Sequence, residues 1–294
     1  MTGLALVDGW FSDMEAAMII DAHSHPYSTD ESSYPSMPDA YRPPLGAGTI
    51  EHLKREMKAA GVDRAVLIQT NSFYRWDNHF IRDTSAVSRD WAVGVCNLDP
   101  DDPHSPDVLS ALVERSNVKG LRSIWDVYVR PDPPGVRRLW TEADRLGIVV
   151  NALVPVQFGN ELSTFLDDYQ DLRVVLDHSL ALKIGPLYDV TLSRILELAR
   201  HPNLYAKMTF LPWGSAEQSP FQDMHDACKR IIDAYGPERC LWGSNFPTEL
   251  WAPKATYAEH LRIFKQELGL SQAEQDAVLG GTAERLWFGQ TDDV

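Results

Sequence analysis

Residues 18–26 read Met-Ile-Ile-Asp-Ala-His-Ser-His-Pro, a short apolar run that ends in two histidines separated by one residue. The run is too short for a helix and is followed directly by proline, so it predicts a buried β-strand. Because side chains alternate between the two faces of a strand, His23 and His25 are expected to point to the same side. The chain thus offers a strand that carries two imidazoles at its C-terminal end.

The same unit recurs along the chain, where short β-branched runs alternate with longer segments of helical period. This alternation is typical of α/β proteins with a parallel sheet. Eight such units in 294 residues predict a single-domain (β/α)8 TIM barrel, which typically has about 250 residues, and an open doubly wound sheet is the alternative. The predicted strands are Met18–Ala22, Asp63–Thr70, Trp91–Asn97, Val118–Ser123, Ile148–Val154, Leu172–His178, Asn203–Thr209 and Arg239–Ser244.

Capping residues mark several helix ends. Thr49 and Gly61 bracket one predicted helix, and Ser271 with Glu274 forms a capping box for another. Ser219-Pro220 predicts a third helix start, with proline at the first helical position. No linker divides the chain, so residues 18–294 are expected to form one barrel and residues 1–17 an N-terminal extension, with Met18 as an alternative start of translation.

Charge and cysteine content limit the partners and the compartment. Lysine and arginine total 27 against 42 aspartates and glutamates, and this net charge of −15 disfavours nucleic acid and anionic membranes. The three cysteines have no CxxC spacing, and no apolar run or basic leader indicates a membrane span or secretion signal. We therefore expect a cytoplasmic protein that acts on a small molecule, with a homo-oligomer left open.

Three histidines lie at predicted strand ends, where barrel enzymes carry their active sites. His178 ends the predicted sixth strand in phase with His23 and His25. Neutral imidazoles bind zinc and also act as general acids or bases near neutral pH. The three side chains therefore predict one shared site, with either a catalytic or a metal-binding role.

Four further residues are candidates for substrate binding. Arg122 ends the fourth strand, where a guanidinium can bind a carboxylate through two parallel hydrogen bonds or brace a loop by an ion pair. Lys207 in the seventh strand is a second cation with the same two alternatives. Gln69, which ends the second strand, can donate to a carbonyl or cap a loop, and Trp213 belongs to the aromatic residues expected to line the pocket. These cations would let an anionic substrate approach an acidic protein.

The eighth strand ends in Trp242-Gly243-Ser244-Asn245-Phe246-Pro247. Together with His23-Ser24-His25 and Asp177-His178, this order of motifs resembles the amidohydrolase superfamily from Met18 onward. The closer resemblance is to its branch with the 2-pyrone-4,6-dicarboxylate lactonase and L-fuconolactonase type enzymes. The resemblance implies a hydrolase in which water opens a lactone or related cyclic ester of a small carboxylated molecule, an aromatic-derived one among the options.

Asn245 departs from that family, which commonly has an aspartate here that receives a proton from the attacking water. An amide has no useful basicity, so Asn245 can hold substrate, water or metal but cannot act as this base. Three explanations stay open: a base elsewhere, an altered reaction, or an engineered Asp-to-Asn replacement. His25 and His178 are the first candidates for a replacement base, followed by Asp177 and Glu249.

The resemblance also bears on metal and on rival functions. Some relatives bind one divalent ion through the equivalents of His23, His25 and His178 with the strand-eight aspartate, whereas the pyranone lactonase type uses none. One zinc ion on these three histidines is thus one of two options, and a binuclear centre is not expected. A lyase of the same superfamily that decarboxylates or hydrates an unsaturated or aromatic acid is the alternative function, and a catalytically silent, ligand-binding barrel is a third.

Overall fold

The computed structural model describes residues 17–125 and 134–289, and its centre is a sheet of eight parallel strands that pair in chain order. Backbone bonds join the segment after the last strand to the first, including those from His25 N–H to Phe246 O at 2.7 Å and from Asn245 N–H to His23 O at 2.9 Å. The predicted (β/α)8 barrel is confirmed. Its strands are β1 (Ile20–Ser24), β2 (Arg64–Ile68), β3 (Ala92–Asn97), β4 (Val118–Ile124), β5 (Val149–Leu153), β6 (Val174–Leu176), β7 (Leu204–Lys207) and β8 (Cys240–Leu241).

Helices and short turns connect the strands on the outside of the barrel. The longer helices bury one apolar face against the sheet, where aromatic rings such as Trp125, Trp140 and Phe165 pack together. The helices are α1 (Ile50–Ala60), α2 (Asn71–Tyr74), α3 (His79–Val87), α4 (Ser105–Arg115), α5 (Pro134–Arg145), α6 (Gly159–Asp168), α7 (His178–Ala181), α8 (Tyr188–Leu198), α9 (Leu211–Gly214), α10 (His225–Tyr235), α11 (Thr248–Trp251), α12 (Tyr257–Arg262) and α13 (Gln272–Asp276). Single 3-10 turns span Val156–Phe158, Gln222–Met224 and Pro237–Arg239, and π-helical turns span Ile263–Glu267, Ala277–Gly281 and Glu284–Phe288.

Two of the three predicted helix starts are confirmed. The Thr49 side chain accepts from His52 N–H at the start of α1, and Ser271 and Glu274 form the expected capping box of α13. The prediction from Ser219-Pro220 is wrong, because α10 begins only at His225. Phe221 has a φ of 60°, a left-handed conformation that a right-handed helix cannot contain.

The lower part of the barrel interior is closed by apolar side chains. Branched residues of the strands meet Leu286 and Trp287 from the C-terminal π-helical turn. The Lys207 ammonium lies 5.6 Å above the centre of the Trp287 ring. This packing gives the site above it a dry floor.

Two further predictions concern the ends of the chain and its membrane contacts. The expected N-terminal extension, residues 1–17, lies outside the described residues apart from Ala17. Within the part of the chain that the structure describes, no helix has both the length and the apolar character needed to cross a bilayer.

Candidate functional site

The histidines singled out in the sequence come together at the carboxyl end of the barrel. His23 and His25 lie at the end of β1 with their rings nearly perpendicular, and the ring centres are 4.7 Å apart. His178 follows β6, and its ring centre is also 4.7 Å from that of His23. Asn245 lies in the segment that pairs with β1, so the barrel closure itself positions this amide beside the histidines.

Unusual backbone conformations present two of these side chains. Asn245 has a φ of 58°, a left-handed conformation that asparagine tolerates better than most residues. From His178 to Ala181 four consecutive residues have φ values of 56°, 44°, 54° and 57°. This segment, α7, is therefore a left-handed turn built without glycine, which costs about 1–2 kcal/mol for each residue. Such strain persists where the surrounding structure imposes it, and functional sites are common places for it.

A buried carboxylate organises the charges beneath the histidines. Asp177 Oδ1 lies 2.9 Å from Lys207 Nζ, and Asp177 Oδ2 accepts a hydrogen bond of 3.2 Å from Arg122 Nε. Burial opposes ionisation of Asp177, but the two cations outweigh it and lower the pKa of this carboxyl. Burial lowers the pKa of the Lys207 amine, while Asp177 opposes that effect. Two cations and one anion leave this buried group with a net charge of +1.

The three imidazoles are neutral at ordinary pH. Burial is the main cause for each, since it disfavours the charged form. It holds the pKa values of His23 and His25 well below the usual range, with Lys207 adding most to the effect at His23 and Arg122 at His25. For His178, burial with Arg122 and Lys207 outweighs the opposing Asp177 and lowers the pKa to about 3.

A second buried carboxylate holds the two ends of the barrel seam together. Asp21 on β1 accepts hydrogen bonds from Ser244 N–H at 2.8 Å, from the Ser244 hydroxyl at 2.6 Å and from the Tyr257 hydroxyl at 3.0 Å. It also accepts from His23 N–H at 3.1 Å. Asp21 thus fixes the strand that carries His23 against the turn that precedes Asn245.

A cavity of about 480 Å³ opens above these residues. Among its described lining residues, Arg122 is the one charged side chain. Trp251 and Trp213 form parts of the wall, with ring centres 5.9 Å from His25 and 6.1 Å from His178 respectively. The lining consists of His25, Thr70, Asn71, Ser72, Arg122, Ile124, Leu153, His178, Ala181, Trp213, Asn245 and Trp251.

The predicted substrate-binding residues divide into two groups. Arg122 and Trp213 line the cavity, as expected, and Arg122 also forms the ion pair that was its alternative role. Lys207 is fully buried below His23 and does not belong to the described lining. Gln69 is also buried away from the lining, and its amide nitrogen already donates to the carbonyls of Arg75 and Asp77 at 2.8 and 2.9 Å. Its contacts are those of a loop cap.

Two further residues belong to the site. Trp251 lies in α11 after β8, and the sequence offers it only as one of many aromatic residues in the loops at the barrel mouth. Thr209, two residues after β7, lies with its hydroxyl 2.5 Å from His178 Nδ1. Its position beyond a strand end is the signal that points to it, because strand ends form the mouth of a barrel.

A zinc ion on the three histidines, one of the two options that the sequence left open, does not fit these donors. His25 has the arrangement of a metal ligand, with Nδ1 3.2 Å from the Ile68 carbonyl oxygen. His23 Nδ1 instead lies 3.2 Å from Lys207 Nζ, closer than the 3.6 Å to Asp177 Oδ1. An ammonium can only donate, so the proton of neutral His23 belongs on Nε2, which is then no ligand.

Charge and composition lead to the same conclusion. The buried group of Asp177, Lys207 and Arg122 already carries an excess positive charge, and Asn245 brings no negative charge to offset a dication. Among residues 17–125 and 134–289, no three histidine, cysteine, aspartate or glutamate side chains are arranged to hold one ion.

Comparison with known proteins gives a consistent result. A family model described as amidohydrolase matches residues 20–289. The D-galactarolactone isomerase of Agrobacterium fabrum is 26% identical over 259 residues, which cover 85% of this chain and 83% of that protein. The L-fucono-1,5-lactonase of Burkholderia multivorans is 32% identical over 127 residues, 39% of this chain and 42% of that protein.

A solved structure shows the same fold. It is described as a probable 2-pyrone-4,6-dicarboxylic acid hydrolase from Acinetobacter baumannii with citric acid bound. The TM-score is 0.77 at 19% identity, with 92% of this chain and 98% of that chain covered.

Proposed function

The chain belongs to the amidohydrolase family, and on this premise we propose that it is a lactonase-like hydrolase of a small carboxylated molecule. The relatives named as a lactonase and a lactone isomerase support a lactone or related cyclic ester as the substrate. One observation carries the proposal: a guanidinium, a neutral imidazole and an amide, from Arg122, His178 and Asn245, line one cavity. These groups supply anion binding, proton transfer and hydrogen-bond donation, which ester hydrolysis by water requires.

Arg122 would bind the carboxylate of the substrate. Its Nε is held by Asp177, so the guanidinium is oriented before the substrate arrives. The net charge of +1 below the cavity favours a ligand with one negative charge. Such a ligand would neutralise the buried group that Asp177 leaves partly uncompensated.

His178 would accept the proton of the attacking water. With a proton on Nδ1 donated to the Thr209 hydroxyl oxygen, the Nε2 lone pair has no hydrogen-bond partner among residues 17–125 and 134–289. The pKa of about 3 makes the ring neutral but a weak base. A substrate carboxylate beside Arg122 would offset one of the positive charges that lower this pKa. Substrate binding would therefore raise the pKa of His178 towards the range in which general bases work best.

The reaction then follows from these positions. The water oxygen bonds to the ring carbonyl carbon, and its proton moves to His178 Nε2. Asn245 Nδ2 donates to the oxygen that becomes negative; its contact with the Trp251 carbonyl, at 3.5 Å, is too long to compete strongly. When the carbonyl re-forms, the ring C–O bond breaks, and His178 returns its proton to the ring oxygen. The product is the open hydroxy acid.

A lactone panel with two variants tests the proposal. Carboxylated lactones, their uncharged analogues and sugar lactones are incubated with the protein, and acid release is followed by a pH indicator. His178→Ala should abolish turnover and leave the circular dichroism spectrum unchanged. His201→Ala, which changes a buried histidine bonded to Ser163, should retain activity.

The products separate the rival functions. Gain of one water supports the hydrolase, whereas release of carbon dioxide from an aromatic acid would support a decarboxylase. Tight binding of lactones without turnover would support a silent barrel. Full activity in His178→Ala would end the proposed role of that residue.

We propose that the chain consists of an N-terminal extension, residues 1–17, and one barrel, residues 18–294. The family match over residues 20–289 supports treating residues 18–294 as one catalytic barrel. Three buried free cysteines, Cys96, Cys228 and Cys240, support a reducing compartment such as the cytoplasm.

A further inference from the structure

Four buried groups at the floor of the site are joined end to end. Lys207 Nζ lies 3.2 Å from His23 Nδ1, His23 Nε2 lies 3.0 Å from His25 Nε2, and His25 Nδ1 lies 3.2 Å from the Ile68 carbonyl oxygen. We infer that Lys207 is a positioning residue that, together with the Ile68 carbonyl at the other end, fixes the tautomers of His23 and His25, and that these hydrogen bonds keep a divalent metal out of the cavity.

The Ile68 carbonyl, at one end of this series of hydrogen bonds, sets the tautomer of His25 independently of Lys207. The Ile68 oxygen can only accept a hydrogen bond, so a neutral His25 carries its proton on Nδ1. Its Nε2 then has a lone pair that faces His23. The 3.0 Å contact between the two Nε2 atoms has hydrogen-bond geometry only if His23 supplies the proton.

The lysine end requires the same tautomer. An ammonium group has three protons and no lone pair, and one proton of Lys207 is directed at Asp177 Oδ1 at 2.9 Å. A second proton is donated to His23 Nδ1, which must therefore be unprotonated. Both ends place the proton of His23 on Nε2, and every bond of the chain runs from Lys207 towards Ile68.

A shared metal would produce a similar separation of the two imidazole nitrogens, so the lysine decides between the two arrangements. Zinc–nitrogen distances of about 2.0–2.1 Å in tetrahedral geometry also bring two nitrogens to about 3.3 Å. That arrangement needs the His23 proton on Nδ1, where it would face the protons of the ammonium 3.2 Å away. Lys207 thus favours the shared proton over the shared cation.

This series of hydrogen bonds distinguishes His178 from the other two histidines. Both nitrogens of His23 and both of His25 are occupied by hydrogen bonds. His178 is outside this hydrogen-bonded series, and within the part of the protein that the structure describes its Nε2 has no hydrogen-bond partner. Lys207 therefore acts through His23 and His25 and never touches the substrate.

The tautomers can be observed directly in the unmodified protein. Histidine labelled with ¹⁵N distinguishes protonated from unprotonated ring nitrogens in long-range ¹H–¹⁵N spectra at neutral pH, and His23→Gln and His25→Gln assign the signals. The inference requires the proton on Nε2 of His23 and on Nδ1 of His25. A proton on Nδ1 of His23 would overturn it, and this measurement does not depend on any lysine variant folding.

Metal exclusion is tested with Co²⁺, whose visible absorption reports a site of low coordination number. The wild-type protein should show no such band with one equivalent of Co²⁺, whereas Lys207→Met should show it, because metal-bound His23 can then carry its proton on Nδ1 without facing an ammonium group. Lys58→Met makes the same change on the exposed side of α1 and should behave as wild type. Stoichiometric Co²⁺ binding by the wild type, or the absence of the band in Lys207→Met, would refute the role of Lys207.

Discussion

The role of Asn245 can be tested by replacing it with glycine and with aspartate. Glycine removes the amide while suiting the φ of 58°. Alanine would add left-handed strain of about 1–2 kcal/mol and confuse the comparison. Aspartate keeps the size of asparagine and its tolerance of this conformation, but it replaces the N–H donor by a charged acceptor. The pair therefore separates hydrogen-bond donation from basicity.

The expected size of the effect follows from the proposed donor role. Loss of one donor to the developing oxyanion lowers kcat about 10²–10³-fold, or about 2.7–4 kcal/mol. We expect this loss in Asn245→Gly with little change in KM. Asn245→Asp should lose kcat similarly, and its KM should also rise, because the new carboxylate shares the cavity with Arg122 and competes with the substrate.

The assay is steady-state hydrolysis of a carboxylated lactone at neutral pH, with circular dichroism spectra to verify the fold of each variant. A faster reaction in Asn245→Asp than in the wild type would show that position 245 lacks its base, and the role of His178 would have to be withdrawn. Wild-type kcat in Asn245→Gly would refute the oxyanion role.

Further predictions concern the anion site, pH, metal and backbone. Arg122→Gln should raise KM for a carboxylated lactone about 10–100-fold, since a hydrogen bond to a charged group contributes about 1.5–3 kcal/mol; equal effects on an uncharged analogue would exclude carboxylate binding. Neutral His178 is the active form, so activity should fall as the pH drops through the pKa of His178. The kcat/KM value should decline only near pH 3, whereas kcat should decline at a higher pH because the bound carboxylate raises that pKa. Acid declines of kcat and kcat/KM at the same pH would contradict this coupling. Dialysis against a chelator should leave kcat unchanged, whereas loss of activity restored by Zn²⁺ would show a required metal. Ala181→Gly should stabilise the protein by up to about 1 kcal/mol in thermal unfolding, because relief of left-handed strain exceeds the entropy cost of glycine. Ala59→Gly in right-handed α1 should destabilise the protein. A change of stability in the same direction in both variants would argue against strain at α7.

The barrel and the histidine cluster were predictable because they follow from short-range rules. Strand period alone places His23 and His25 on one side, and strand ends of a parallel barrel share one face. The caps of α1 were predictable for the same reason, since Thr49 and Gly61 satisfy backbone groups next to them in the chain.

The remaining features depend on contacts between distant segments. Trp251 reaches the cavity because of the path of the loop after β8, and Gln69 is used up by a loop that folds back over it. The position of Lys207 beneath His23 required the register of β7 against its neighbours, which the sequence alone left undetermined. The left-handed turn of α7 contains no glycine, so no residue type in the sequence predicted this conformation.

Because of the left-handed turn of α7, the protein becomes active only when its fold is complete. Residues 178–181 have no local preference for their conformation, which is maintained by contacts such as the 3.1 Å bond from the Ser179 hydroxyl to the Lys207 carbonyl and by burial of Leu180. A chain with most of its strands paired but this region loosened would retain its secondary structure and lack an oriented His178. Dilute denaturant should therefore abolish turnover before the barrel unfolds, so that the loss of turnover reports local opening of residues 178–181 between β6 and β7.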